Sequence, residues 1–301
     1  MIGNQQGIND MYKLFHKYKN MPCGIDYKHI ASVPSFVVKP MRLVAFLTLV
    51  KISLLSIALY SSAGCAHWKK DKDTVYQVST IDALLNACYE GSVDIHTLRR
   101  HGDTGIGTFN QLDGEMIVLD GIFYKIKSDG TIVQADDSDT TPFCSVTFFE
   151  KEKSFELQSG LKLNQLSSSM LGSCNYFYAM KICGKFKTVK ARSVPKQSKP
   201  YPMLLEIART QPVFNYQDIE GTAVGFFSPA FAKGLNITGF HLHFISSDRK
   251  SGGHILDFEI DKAQLQIDET RGFQMLLPDD EAFRRLDLTQ DKEKELNKVE
   301  K

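Results

Sequence analysis

The sequence predicts an α+β fold of mixed α/β character: two sheet-dominated domains with mixed β-sheets and a few helices. Three observations carry this. Segment 115–134 (EMIVLDGIFYKIKSDGTIVQ) sets Asp120-Gly121 and Asp129-Gly130 between alternating apolar runs, and an Asp-Gly pair supplies the positive backbone angles of a tight hairpin turn. Strand-length runs recur at 176–183, 186–191, 213–216, 222–227, 239–245 and 254–260. Helical patterns are few and short.

In chain order, Ser79 followed by Ile81, Leu84, Leu85 and Cys88, with Gly91 beyond, reads as an N-capped amphipathic helix. The 115–134 meander follows. A helix is expected over 163–171, then the first two strands of the second group. Pro195, Pro200 and Pro202 break the chain, dividing an N-terminal α/β domain (76–198) from a C-terminal β domain (199–301). A short helix over 201–210 precedes the remaining strands. The charged tail 291–301 (DKEKELNKVEK) reads by default as a solvated helix or frayed end.

Upstream, the run from Met41 (MRLVAFLTLVKISLLSIALYSSAGCAHWKK) has a basic start, an apolar centre and small residues before Cys65. That is the layout of a secretory signal over 41–65. Lys51 disfavours a stable transmembrane helix, since a charge near the bilayer centre costs about 2.5–3.5 kcal/mol. Ser62-Ala63-Gly64-Cys65 resembles a bacterial lipobox apart from Ser62, where a larger aliphatic is usual, so a lipid anchor at Cys65 and simple cleavage both stand. Either reading places the protein in the periplasm, on the membrane or outside the cell; an unused signal would leave it in the cytoplasm. Residues 1–40 precede a natural start methionine and read as a disordered extension or a start assigned too early, which sets aside Cys23, His16 and His29.

With 301 residues, 43% hydrophobic and 24% charged, the chain can bury a sizeable core. A formal net charge of +1 argues against a nucleic-acid partner, which needs a basic face. None of the six cysteines has the close paired spacing of a thiolate zinc site, although Cys174 and Cys183 could pair in an oxidising compartment.

Three of the eight histidines fall in GFHLHFISSDRKSGGHILDFEI (239–260). Residues two apart on a strand share a face, so His241 and His243 can reach one ion. The turn-forming stretch 248–253 would reverse the chain and lay His254 beside His243, with Leu256 and Phe258 sharing its face in a partly apolar pocket. Three neutral imidazoles suit zinc, and three protein ligands leave a position open, the pattern of a catalytic rather than a structural site. A lone His-x-His pair is usually incidental; the third histidine is what points to a metal.

The segment 239–258 resembles the zinc-binding segment of bacterial alpha-acetolactate decarboxylases. So do GDTGIGTFNQLDGEMIVLDGIFYKIKSDG (102–130), ARSVPKQ (191–197) and GTAVGFFSPAF (221–231), and the resemblance spans roughly 76–301. It implies a two-domain protein, often a homodimer, with one catalytic zinc (Zn2+) held by His241, His243 and His254. It also implies decarboxylation of (S)-2-acetolactate to (R)-acetoin and carbon dioxide. The family's active-site arginine falls on Arg192 and its first glutamate on Glu115. Its tail glutamate falls on Glu300, with Glu295 a competitor, and Thr108 matches a position near the substrate. Without the resemblance, Arg192, Glu115 and Glu300 would read as ordinary surface, edge and tail charges.

Two other readings stand beside this one. A cupin-type oxygenase also uses His-x-His strands but usually adds a carboxylate ligand; Asp248 is the nearest, and it sits in the turn. A non-catalytic metal- or ligand-binding relative could keep the histidines, but would have no need of Arg192 and Glu115.

Overall fold

Side-chain alternation decides how the sheets stack, because residues two apart on a strand face one layer and their neighbours face the other. The computed structural model describes residues 72–300; the signal-like run 41–65, with Cys65, and the extension 1–40 lie outside them. The chain begins with β1 (Thr74–Val78), α1 (Ile81–Leu85), β2 (Val93–Asp94) and α2 (Ile95–Leu98). It continues through β3 (Thr104–Thr108), β4 (Glu115–Leu119), β5 (Ile122–Ile126), β6 (Ile132–Gln134), β7 (Thr140–Thr141), β8 (Cys144–Thr147) and β9 (Lys153–Leu157). Then come β10 (Phe177–Arg192), α3 (Leu204–Ala208), β11 (Val213–Ser228), β12 (Gly239–Ser246), β13 (Gly252–Thr270), β14 (Gly272–Leu276), α4 (Glu281–Arg284) and α5 (Glu293–Val299).

A seven-stranded sheet runs β14-β1-β8-β3-β4-β5-β6, antiparallel except for the parallel pair β1–β14. A five-stranded sheet runs β10-β11-β12-β13-β9, and β10 also pairs with β13, so four of its strands close into a ring. β2 and β7 form a separate small ribbon. The α+β class with mixed sheets and few helices is therefore observed.

Both faces of β4 are buried. Met116 and Val118 join one apolar cluster with Ile95 and Leu98, whereas Ile117 and Leu119 join Phe226 and Ile245 of the other sheet. Inside the ring lie Met180, Ile182, Phe186, Phe244, Phe258 and Ile260. A fourth cluster brings α1, α3 and α5 together through Leu84, Leu204, Ile207 and Val299.

The expected meander is present as β4–β5–β6, with Asp120 and Gly121 at φ 53° and 78° in the first turn. Other expectations change in detail. Thr80, not Ser79, caps α1 by accepting from Ala83 N, and the helix stops at Asn86 because Ala87 turns left-handed at φ 63°. The helix expected over 163–171 is two separate 3-10 turns, Leu163–Gln165 and Ser168–Met170. Ser167 accepts from Ser169 N, and such side-chain bonds compete with a continuous helix. The paired short strands merge: 176–183 and 186–191 are one strand whose register shifts against β13 fall around Phe186 and between Lys190 and Ala191, and 213–216 and 222–227 are one strand carrying Asp218 at φ 48°. The tail forms the helix α5, one of the two expected alternatives, but it is docked rather than free, because Leu296 and Val299 pack into the helical cluster. Cys174 and Cys183 carry free thiols.

The boundary expected near 198 falls between β10 and β11, which pair from Tyr178–Phe227 to Arg192–Val213. The described residues, 72–300, fall in one compact unit, and β14 crosses back to the seven-stranded sheet beside β1. The change of sheet comes between β8 and β9 instead. Prolines mark a turn here, and a turn alone does not separate cores.

Asp268, buried in β13, accepts from Glu150 N at 3.0 Å, and burial pushes its carboxyl up to about 7. A raised folded-state value means that stability from this group is present below the ordinary 3.8 and is lost as pH climbs through about 7. Asp268→Asn keeps an oxygen for the Glu150 amide. It is expected to melt a few degrees above the parent at pH 8 and to lose that advantage at pH 4; equal melting temperatures at both pH values would contradict the assignment.

Candidate metal centre

β12 sorts its residues by parity. Leu242 and Phe244 point into the ring, while His241, His243 and Ile245 point between the sheets. Chain reversal at 247–251, with Arg249 at φ 60°, sets His254 directly opposite His243. Gly253 makes this close approach feasible: its φ is 141°, and a Cβ there would lie 2.5 Å from Arg192 O. Arg192, last residue of β10, is the partner of His254 across the β10–β13 ladder. Phe258, expected on the His254 face, lies instead in the ring core. Ile255 pairs with Ala191 and Asp257 with Lys190, so Leu256 is an extra residue that reverses the parity.

The three rings converge. His241 Nε2 lies 3.2 Å from His254 Nδ1, and His243 Nε2 lies 3.3 Å from the same atom. Tetrahedral Zn–N bonds of about 2.0–2.1 Å would place ligand nitrogens about 3.3 Å apart, so the donor set fits such an ion. His243 Nδ1 is 2.9 Å from Met116 O, which fixes a proton on that nitrogen and leaves Nε2 free to ligate. Burial, first of all, then the Arg192 charge, lowers His243 to about 3. Burial followed by His243 and Arg192 holds His241 well below the imidazole range, as burial followed by Arg192 does for His254. The neutral imidazole is the ligand form. Among the described residues, these three are the group of side chains placed to hold a metal ion.

Beside them, Arg192 Nη1 donates to Glu115 Oε1 at 2.9 Å and Nη2 to Glu300 Oε1 at 3.3 Å. Glu115 Oε2 is 3.8 Å from His243 Nε2, and Glu300 Oε2 is 3.2 Å from His254 Nε2. Glu115 precedes Ile117 and Leu119 on the same face of β4, which directs it at the histidines. Burial pushes its carboxyl up to about 7 against the pull of Arg192, and burial also raises Glu300. Arg192 Nε is buried without a partner, so one donor of the guanidinium remains for an anion.

All seven residues singled out in the sequence line one pocket: Thr108, Glu115, Arg192, His241, His243, His254 and Glu300. Thr108 Oγ1 donates to Gly114 O at 2.8 Å. Glu295 is bonded to Lys292 and does not line the pocket. Asp248 is exposed and accepts from Ser246 Oγ and Lys250 N, far from a ligand role.

A family model described as alpha-acetolactate decarboxylase matches residues 75–290. The chain belongs to this family. An alpha-acetolactate decarboxylase of Methanosarcina mazei is 46% identical over 232 residues, covering 76% of this chain and 81% of that one. One from Bacillus licheniformis is 42% identical over 221 residues, covering 72% and 87%. The crystal structure of the Bacillus subtilis strain 168 alpha-acetolactate decarboxylase superposes with a TM-score of 0.74 at 39% identity, covering 75% of this chain and 99% of that one.

For a member of this family, two site features have no sequence signal. Met116 acts through its backbone carbonyl, which any residue supplies. The apolar wall opposite the histidines (Leu84, Leu112, Phe143, Val194, Leu204 and Ile237) is drawn from distant segments whose apolar character reads simply as core.

Proposed function

We propose that the chain is a zinc-dependent carboxy-lyase that converts (S)-2-acetolactate to (R)-acetoin and carbon dioxide. The observation that carries this is the meeting of three neutral imidazoles and one guanidinium in a single buried pocket. Loss of carbon dioxide leaves an electron pair that the substrate's own adjacent ketone can accept. Zinc, when bound by His241, His243 and His254, supplies Lewis acidity for the charge that develops there.

Arg192 binds the substrate carboxylate through its free Nε and, once Glu300 yields, through Nη2; this fixes the scissile bond without a second cation. The grip must relax as charge leaves the carboxylate, since binding the ground state alone gives no rate advantage. Glu115 and Glu300 flank the guanidinium on two sides and are the proton carriers to the carbon that loses carbon dioxide. The Leu84–Leu204 wall excludes water and takes the substrate's methyl groups. Protonation inside one chiral cavity yields one acetoin enantiomer. The family resemblance supports a homodimer, and the 41–65 run supports action outside the cytoplasm.

Purified residues 66–301 are expected to form acetoin from acetolactate, to stop on chelation and to recover with added zinc, as read by acetoin release and metal analysis. Activity indifferent to a chelator, or iron content with oxygen-dependent turnover, would overturn the reading.

A further inference from the structure

The turn joining β3 to β4 holds an unfavourable backbone. Gln111 and Leu112 take φ of 61° and 55°, and Gly114 follows at 92°. Adjacent left-handed residues with side chains persist only where surrounding contacts fix them, and such strain gathers at functional sites. Gln111 donates to Tyr89 O at 2.7 Å and accepts from Gln197 N at 2.7 Å, while Asn110 Oδ1 accepts from Gly91 N at 2.8 Å. Thr108 before the turn, Leu112 within it and Glu115 after it all line the pocket.

Asp113 does not. Its Oδ2 lies 3.6 Å from Nζ of Lys125, a nearly buried lysine on β5. The same ammonium lies 3.0 Å from Asp139 Oδ1 and 4.5 Å from the centre of the Phe109 ring. A buried ammonium is costly unless paired, and Asp139 alone already pairs it. The contacts to Phe109 and Asp113 flank the strained residues on both sides, so one cation grips the turn at entry and exit. Lys125 also stands opposite Met116, whose carbonyl orients His243. It thus braces, from the sheet's outer face, the step of β4 that aims Glu115 inward.

We propose that Lys125, acting through Asp113 and Phe109, is a positioning residue for the reaction: it locks the 110–114 turn in the conformation that aims Glu115 at Arg192 and the histidines. The assignment rests on the decarboxylase reading above. Lys125→Met keeps the apolar stem and removes the charge, Lys125→Arg keeps the charge, and Asp113→Asn removes the partner.

Lys125→Met and Asp113→Asn are each expected to lower kcat about tenfold or more with KM nearly unchanged, and the double variant should be no worse than Lys125→Met alone. Metal content should match the parent, Lys125→Arg should retain most of the rate, and amide exchange should quicken at 111–115 while β10 and β13 keep their protection. Parental kcat in both single variants, unchanged exchange in the turn, or a rate loss that merely follows metal loss or global melting would overturn the proposal. Zinc-replete parent protein that forms no acetoin would instead defeat the decarboxylase reading, and the exchange measurement would still decide whether Lys125 holds the turn.

Discussion

His254→Ala is expected to lose bound metal and turnover together. His254 Nδ1 is the atom nearest both other ligand nitrogens, so its removal leaves two imidazoles at one edge of an empty space. Two ligands on a single strand hold a divalent ion far more weakly than three, and acetoin formation should fall more than about a thousandfold, equivalent to roughly 4 kcal/mol of transition-state stabilisation. The fold should survive. His254 lines the pocket, and its ladder pairs with His243 and Arg192 are made by the backbone, not by the imidazole, so far-ultraviolet circular dichroism should match the parent. A variant with full metal content would show that the ion is held elsewhere.

Arg192→Ala should separate the two properties that His254→Ala loses together. No atom of Arg192 is placed as a ligand, and metal content should stay at the parental level. Turnover should nevertheless fall about a thousandfold or more, because the substrate carboxylate loses its charge-assisted partner in a buried pocket. Arg192→Lys should recover only part of this: an ammonium is a point charge and cannot reach Glu115, Glu300 and a substrate anion with separate planar donors. Stability should change less than for most broken buried ion pairs. Glu115 and Glu300 are both already shifted toward the protonated form by burial, and without the guanidinium they can take up protons instead of remaining as bare charges. Full activity in Arg192→Ala would remove the role assigned to it.

What the sequence made legible follows from the range of each signal. Asp-Gly pairs act over four residues, and the β4–β5 turn stands where Asp120-Gly121 placed it. The histidine spacing likewise depended only on strand parity and one reversal. Parity failed one step further on, at Phe258, because a single extra residue at Leu256 is invisible without its partner strand. The long strands β10 and β11 read as broken pairs because Gly184 and the 217–221 segment look like turns locally; pairing on both sides of β10 overrides them. Glu300 was readable only by likeness to a family, since a glutamate in a Lys/Glu tail carries no local mark. Its burial depends on Val299 docking against a cluster that α1 and α3 build from distant parts of the chain.

The closed ring of β10–β13 has a consequence for how the molecule comes into being. Arg192 and His254 are neighbours solely through a ladder between segments far apart in the chain, and contacts of that kind form slowly because a long loop must first be closed. The three histidines sit on one short hairpin and can gather early, whereas Arg192 joins them only through that long-range ladder. The pocket is whole only once the β10–β13 seam has brought the guanidinium to the imidazoles.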